Sequence, residues 1–402
     1  MKNVNILLLI LCLLALPSAV PAQLAFTTNN GAITITGYSG AGGALVIPGA
    51  TNGHPVTSIR DGALQNLNGL TSVVIPDSVT NIGQSAFLSC YGLTNASIGS
   101  GVTNIGGGPF ANCRTLKAIT VNPTNAFYRS TNGVLFDKNL TALIQFPGGL
   151  GGSYTIPNSV ARVGFEAFNG CTRLTNVLVG SGVTNIGAWA FFASGPLAAI
   201  SVDTNNPAYS SVNGVLFDKH QTTLVTFPPA LGGSYTVPDG VINILDYAFS
   251  YCNGLTQVTM PASLTSLEWS AFEFCDALTA VYFLGNAPDT GGFDPFAYAN
   301  ATIYYLPGTS GWDVFFADTG QPGVLWLPQV QTGDGGFGVQ NHQFGFNFTW
   351  AGGKVVVVEA CTNLVSPVWL PVQTNTVGSG AVSFSDPQPA GCPGRFYRLR
   401  SP

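Results

Sequence analysis

The sequence predicts a mainly β fold: a solenoid of short stacked coils with hairpin insertions, followed by a small β-sandwich-like domain. Three observations predict it. The octapeptide GSGVTNIG at Gly99–Gly106 returns letter for letter at Gly180–Gly187, 81 positions on. A spacing of 23 separates most copies of an Ala-Phe pair. Hydrophobic residues make up 46% of the 402, and only 8% are charged. A fixed period between about 20 and 50 residues marks a solenoid, array or propeller. The wealth of Val, Ile, Leu and Phe separates this chain, with its 50 Gly and 26 Pro, from disordered ones.

Globular chains usually carry about 25% charged residues, so solubility here rests on Asn, Thr, Ser and Gly. The formal net charge is −5, and 13 Lys and Arg are spread over the whole length. That distribution offers no basic face and excludes nucleic acid as a partner.

Residues 1–22 read as a secretory signal peptide. Lys2 gives a positive start, and Ile6–Leu16 is an apolar run of 11 residues. Pro17 and Ser18 break the run, and Val20-Pro21-Ala22 presents small residues for cleavage after Ala22. The run is too short to cross a bilayer. Cys12 sits behind Leu11 in a poor lipobox, which argues against a lipid anchor. No later stretch is long and apolar enough to be a transmembrane helix, so the expected location is secreted or cell-surface.

The repeats occupy residues 63–327. Second members of the Ala-Phe pair and its looser copies fall at 64, 87, 110, 168, 191, 249 and 272. The gaps are 23 or 58, and 58 is one unit plus a 35-residue insertion. A two-unit block has been duplicated whole. NGVLFDK recurs at Asn132–Lys138 and Asn213–Lys219, and LGGSYT at Leu150–Thr155 and Leu231–Thr236. Within each unit Leu70, Val73 and Ile75, or their equivalents, alternate inward, as a strand with one buried face does. Val79, Ile82 and Phe87 form a second inward set, and Cys90 closes the unit. One coil cannot bury its apolar side alone, so neighbours stack and share a core. Phe87, Phe110, Phe168, Phe191, Phe249 and Phe272 then form a column of rings. Gly83, Gly106 and Gly187 suit tight corners. Each insertion reads as a hairpin, the first turning around Asp137–Asn139, expected to extend the solenoid edge and to protrude.

This pattern, above all IPDSVTNIGQSAFLSC at Ile75–Cys90 and its copies, resembles the BspA-type leucine-rich repeats of bacterial surface and secreted proteins over about residues 44–327. The resemblance implies a right-handed solenoid with one stacked parallel sheet, an N-terminal cap over 23–62, and partner proteins or host and matrix components as ligands. Leu64 lacks the aromatic ring, Ser194 replaces the closing Cys, and near Phe296 the spacing slips to 24 as in a decaying terminal repeat.

Residues 328–402 carry no repeat. Gln331–Gly338 is a Gly-rich turn or linker. Phe344–Phe348, Lys354–Ala360, Val368–Gln373, Ala381–Ser385 and Arg395–Leu399 read as strands of a small all-β domain. The domain loosely resembles β-rich modules used for sorting or surface attachment.

Candidate site residues are few. Cys90, Cys113, Cys171, Cys252 and Cys275 read as a ladder of buried thiols, one per coil. The alternatives are a metal site or strained disulfides between neighbouring coils. Cys361 and Cys392 are a better disulfide pair, because both lie in one small domain. His54, His220 and His342 are scattered, and no His cluster, HExxH or CxxC is present, so no metal or cofactor is expected. Asp137 and Asp218 lie in matching turns and read as turn caps. They do not supply the carboxylate pair, roughly 5–10 Å apart, that a glycosidase needs. No catalytic residue is assigned. The outward strand positions are Val74, Ser97, Thr120, Leu178, Ser201, Thr259 and Tyr282, a small neutral face unsuited to acid–base work. Tyr128, Tyr209 and Tyr282 are candidate anchors with Thr120 and Ser201, unless the insertions bury the aromatic rings. The reading is an exported, non-catalytic repeat protein presenting an extended surface for protein interaction or adhesion. The alternative is a glycan-binding module of an extracellular polysaccharide-handling system.

Overall fold

The computed structural model describes residues 24–378, 380–389 and 394–400, with the side chains of 387–389 excepted. The expected signal segment and Cys392 lie outside the described residues. Two compact units are present: one runs to Leu150 and includes Arg162–Cys171, the other comprises Gly151–Ala161 and the chain from Thr172 onward.

In the first unit an antiparallel hairpin, Leu24–Asn29 with Ala32–Tyr38, opens the fold. Strands Gly43–Val46, Leu70–Ile75, Asn95–Ile98 and Ala118–Val121 then stack in parallel. Leu45, Val73, Ala96 and Ile119 share one register and are buried, as the alternating pattern requires. Each coil also supplies a second short strand. Ile35, Ile59, Ile82 and Ile105 align in a separate parallel ladder. The stacked parallel sheet expected is present, and a second ladder accompanies it, because the residues after each proline, such as Val79 to Ile82, stay extended long enough to pair briefly with the coil before.

The first insertion is also different from its expectation. Tyr128–Thr131, Val134–Asp137 and Ala142–Gln145 form an antiparallel meander, and the last strand pairs in parallel with Arg162–Val163. Val134, Leu135 and Phe136 are buried. Phe146 stacks on Phe168 with ring centroids 5.1 Å apart. The hairpin expected around Asp137–Asn139 is present, as Val134–Asp137 with Ala142–Gln145, but its strands pack into the stack as an extra coil that brings its own ring to the column. Phe87 and Phe110 stack likewise at 5.0 Å.

The second unit repeats the plan. Gly151–Thr155, Arg173–Val179 and Ala199–Val202 run parallel. Gly233–Thr236, Leu255–Met260, Ala280–Phe283, Thr302–Tyr305 and Gly323–Leu325 form a second parallel sheet. The second insertion again makes a meander, Tyr209–Val212, Val215–Asp218 and Thr223–Thr226, joined to Asn243–Ile244. Phe227, Phe249, Phe272 and Phe296 stack at 4.9, 4.5 and 5.1 Å. The column thus continues through Phe296, where the spacing slips. Each such ring contributes about 2–3 kcal/mol by its burial alone. Phe191 is buried as well. A helix, Trp312–Thr319, follows the last repeats and packs Trp312 and Phe315 against Phe283. It was invisible in the sequence, being eight residues long and flanked by Gly311 and Gly320, both in the left-handed region.

Coils pack too closely for side chains at some turns. A Cβ on Gly101 would lie 2.0 Å from the Asp77 carbonyl oxygen, and one on Gly182 2.0 Å from that of Asn158. That contact explains why GSGVTNIG is written twice. Threonine hydroxyls satisfy the exposed edges instead of charges: Thr103 donates to Thr80 O, Thr94 to Thr71 O and Thr279 to Thr256 O, each 23 residues back.

From Gln329 the second unit contains two antiparallel sheets. Gln343–Thr349 pairs with Gln329–Gln331, Gly338–Gln340 and Val382–Pro389. Val355–Cys361 pairs with Leu370–Thr376 and Phe396–Arg400. Phe346, Phe348, Val356, Val358 and Phe384 fill the space between them. Buried Glu359 is neutralised across the strand pair by Arg398 at 2.7 Å and Arg400 at 2.8 Å.

Candidate functional site

The outward face follows the strand register. Val74 pairs with Ser97 and Ser97 with Thr120 in the first unit. In the second, Thr155, Leu178 and Ser201 align, and so do Thr236, Thr259, Tyr282, Tyr304 and Val324. Val74 and Leu178 are 41% and 39% exposed, and Thr120 and Ser201 are exposed too. No charged side chain occupies these positions. The face ends in a ring cluster: Tyr282 stacks on Tyr304 at 4.7 Å and meets Trp326 at 4.7 Å. Trp350 Nε1 donates to the Trp326 carbonyl at 2.9 Å, linking the cluster to the C-terminal sheets.

Tyr128 and Tyr209 are placed differently. Each is half-buried, and its hydroxyl accepts a backbone N–H of the preceding coil, from Ile105 at 3.0 Å and Ile186 at 2.9 Å. Burial pushes both phenols above their ordinary value. Their neighbours Asn125 and Asn206 are fully buried and bonded on both ends. Asn125 Nδ2 donates to Gly99 O and Val102 O, and its Oδ1 accepts from Phe127 N and Tyr128 N. Asp137 Oδ1 accepts from Thr141 N and Ala142 N, the turn cap expected of it; Asp218 does the same for Thr222 and Thr223.

The five repeat cysteines are buried and free. Their thiols donate to the carbonyl of the preceding coil: Cys90 to Leu64, Cys113 to Phe87 and Cys275 to Phe249, at 3.0–3.1 Å. Burial raises the Cys113, Cys171 and Cys252 thiols. Cys361 is buried at the end of its strand, while its expected partner Cys392 is outside the described residues. Among the described residues no group of three or more His, Cys, Asp or Glu has metal-holding geometry.

A second locality, in the second unit, escaped the reading by residue type. A pocket of 310 Å³ has Trp189, Phe192 and Tyr247 as well as Asp246, Glu268 and Ser250 in its lining. Trp189 meets Tyr247 edge-on at 5.1 Å, and Tyr247 meets Trp269 at 5.3 Å. Asp246 and Glu268 are neighbours, and the Asp246 backbone N–H donates to Glu268 Oε2 at 3.3 Å. Burial first, and then this neighbour, push the Asp246 carboxyl up to about 6. Asn243 Nδ2 donates to Glu268 Oε1 at 2.8 Å and fixes the pair. The signal was available: carboxylates 22 residues apart in a 23-residue repeat lie one coil apart.

Three comparisons bear on identity. The family model described as "BspA type Leucine rich repeat region" matches in six copies over residues 50–143, 152–232 and 233–302, well over half of the chain. No curated protein matches. Among solved structures, the pneumococcal vaccine antigen PcpA is similar at 18% identity, with 76% of this chain and 96% of that one covered and a TM-score of 0.40. A leucine-rich cell surface protein from Faecalibacterium prausnitzii shares 23% identity over 66% of this chain and 95% of its own, with a TM-score of 0.34. A leucine-rich repeat protein of T. pallidum shares 21% over 69% and 87%, with a TM-score of 0.29.

Proposed function

This chain belongs to the BspA-type leucine-rich repeat family, and from that premise we propose that it is an exported, non-catalytic scaffold whose outward strand face binds a partner protein. The observation that carries the reading is the register of that face. Side chains from successive coils form straight, exposed, uncharged rows: Val74–Ser97–Thr120 and Thr155–Leu178–Ser201. Such rows offer a flat surface with hydroxyl groups at regular spacing and isolated apolar contacts, the composition of a polar, shape-matched interface. They contain no acid, base or nucleophile poised for reaction. Tyr282, Tyr304 and Trp326 add a rigid aromatic anchor of the kind that concentrates binding energy.

A photo-reactive amino acid placed at Thr120 or Ser201 in the full chain tests the proposal. Incubated with the extracellular proteins of the producing cell and its surroundings, these positions should cross-link one saturable partner. Purified, that partner should bind at least tenfold more weakly to Thr120→Arg or Ser201→Arg (tenfold is about 1.4 kcal/mol). Cross-linking equal to that of a probe at His220, in an insertion turn, would sink the proposal.

A further inference from the structure

We propose that a corner of the second unit is a carbohydrate site, where aromatic rings form a platform for the sugar rings of a neutral oligosaccharide and the Asp246–Glu268 pair bonds its hydroxyls. The surface is distinct from the outward strand face and does not depend on the reading given for it.

The first line of argument is backbone strain. Most of the 23-residue coils turn this corner through two residues in the left-handed region, four apart. In the first unit those positions carry Ser85, Gly108 and Glu166, then Asn66, Ser89, Asn112 and Gly170. Most are small or polar residues that tolerate positive φ. In the second unit the same positions carry Trp189 at φ 58°, Tyr247 at 56° and Ser270 at 50°, then Ala193 at 54°, Tyr251 at 58°, Phe274 at 53° and Tyr298 at 58°. Bulky aromatic side chains are outliers at positive φ. Here five of the seven are aromatic, and at the second position Tyr251, Phe274 and Tyr298 follow one another in successive coils, where the fold itself accepts Ser, Asn or Gly. Strain kept at one face is a reason to look for function there.

The second line is continuity and exposure. Phe192 meets Tyr251 at 5.2 Å, Tyr251 meets Phe274 at 5.0 Å, and Phe274 stacks on Tyr298 at 4.7 Å with ring planes 5° apart. The run is not core packing, since Tyr298 is 73% exposed and Trp269 43%. It leads from an open platform into the 310 Å³ pocket, a volume at the small end for ligand sites.

The third line is the chemistry of that pocket. A lining that combines aromatic rings with carboxyl and hydroxyl groups matches the two chemistries of a sugar, apolar C–H bonds and a rim of hydroxyls. The carboxylate oxygens of Asp246 and Glu268 can accept from sugar hydroxyls, and the Ser250 hydroxyl can donate or accept.

The test titrates the full chain with oligosaccharides of three to six neutral sugars from β-glucan, xylan, mannan and chitin, read by tryptophan fluorescence and by calorimetry. At least one should bind saturably. Phe274→Asn with Tyr298→Asn should weaken it by about tenfold or more, and Glu268→Gln should do the same. Asn also suits the left-handed backbone, so the double variant should keep or raise the thermal midpoint while binding is lost. The inference fails if no oligosaccharide or parent polysaccharide binds, if binding survives the double variant, or if tetramethylammonium competes for the same rings as a cation would.

Discussion

The hydroxyl of Tyr128 receives the backbone N–H of Ile105 at 3.0 Å, and one duplicated block later Tyr209 does the same for Ile186 at 2.9 Å. The phenol closes the exposed end of a short strand that each insertion would otherwise leave without a partner. Tyr128→Phe keeps the ring and orphans that N–H. Urea unfolding should show a loss of about 1 kcal/mol, with the same for Tyr209→Phe. A lost ligand with unchanged stability would instead make these tyrosines the binding anchors that their residue type suggested.

Asn206 is buried and makes four bonds, donating to Gly180 O and Val183 O and accepting from Ala208 N and Tyr209 N. Asn206→Ala strands four backbone groups at the joint between a repeat and its insertion. Since each unsatisfied buried group costs about 1–3 kcal/mol, the expected loss is about 3 kcal/mol or more in urea. Asn206→Asp should be no better, because a carboxylate cannot donate to the two carbonyls.

These two joints show what the sequence made legible and what it hid. The 23-residue period located the strands, the buried Phe column and the thiol ladder, because each follows from one residue type returning at one spacing. The C-terminal strands were legible for the same reason, alternation between turns: Phe344–Phe348 and Lys354–Ala360 fall within one residue of Gln343–Thr349 and Val355–Cys361. The hairpin of each insertion was legible in NGVLFDK, but its place as a coil of the stack was not. Phe146 and Phe227 carry the ring that makes each insertion a coil, but Phe-Pro replaces Ala-Phe and hides the match. The pocket was missed because Asp246 and Glu268 occupy positions that differ by one within the repeat, so neither appears as a column. The left-handed backbone beneath Tyr251, Phe274 and Tyr298 was masked by the aromatic residues themselves, which do not announce such a turn as Gly or Asn do.

The thiols offer a check on the packing of the coils. Cys113 and Cys275 donate to Phe87 O and Phe249 O at 3.1 and 3.0 Å, and a protonated buried thiol is inert. The folded protein should not react with a thiol reagent at these cysteines, and full reactivity should appear only as urea unfolds it. Cys275→Ser should cost no more than about 1 kcal/mol, because Ser194 already sits buried at the equivalent place. Rapid labelling of native Cys113 or Cys275 would mean that the coils open.

The carboxyl pair makes a pH-dependent prediction. The Asp246 carboxyl is pushed up to about 6 by burial and by Glu268, whereas in the unfolded chain it titrates near its ordinary value. Between about pH 4 and 6 the native state therefore binds more protons, so this group's contribution to stability falls as pH rises through that window and levels off above it. Asp246 is partly exposed, and solvent screening keeps the effect modest. Glu166, Glu273 and Asp294 are also raised by burial and act in the same sense, while Asp77, Asp334 and Glu359 are lowered by hydrogen bonds and act against it. The informative quantity is thus the difference between the parent protein and Asp246→Asn, which keeps a donor and an acceptor for Glu268 without the charge. Thermal midpoints measured from pH 4 to 7 should converge at the acid end, and the variant should stand higher at pH 7. A difference constant across that range would show that the Asp246 carboxyl titrates alike in the folded and unfolded chain and would overturn the prediction.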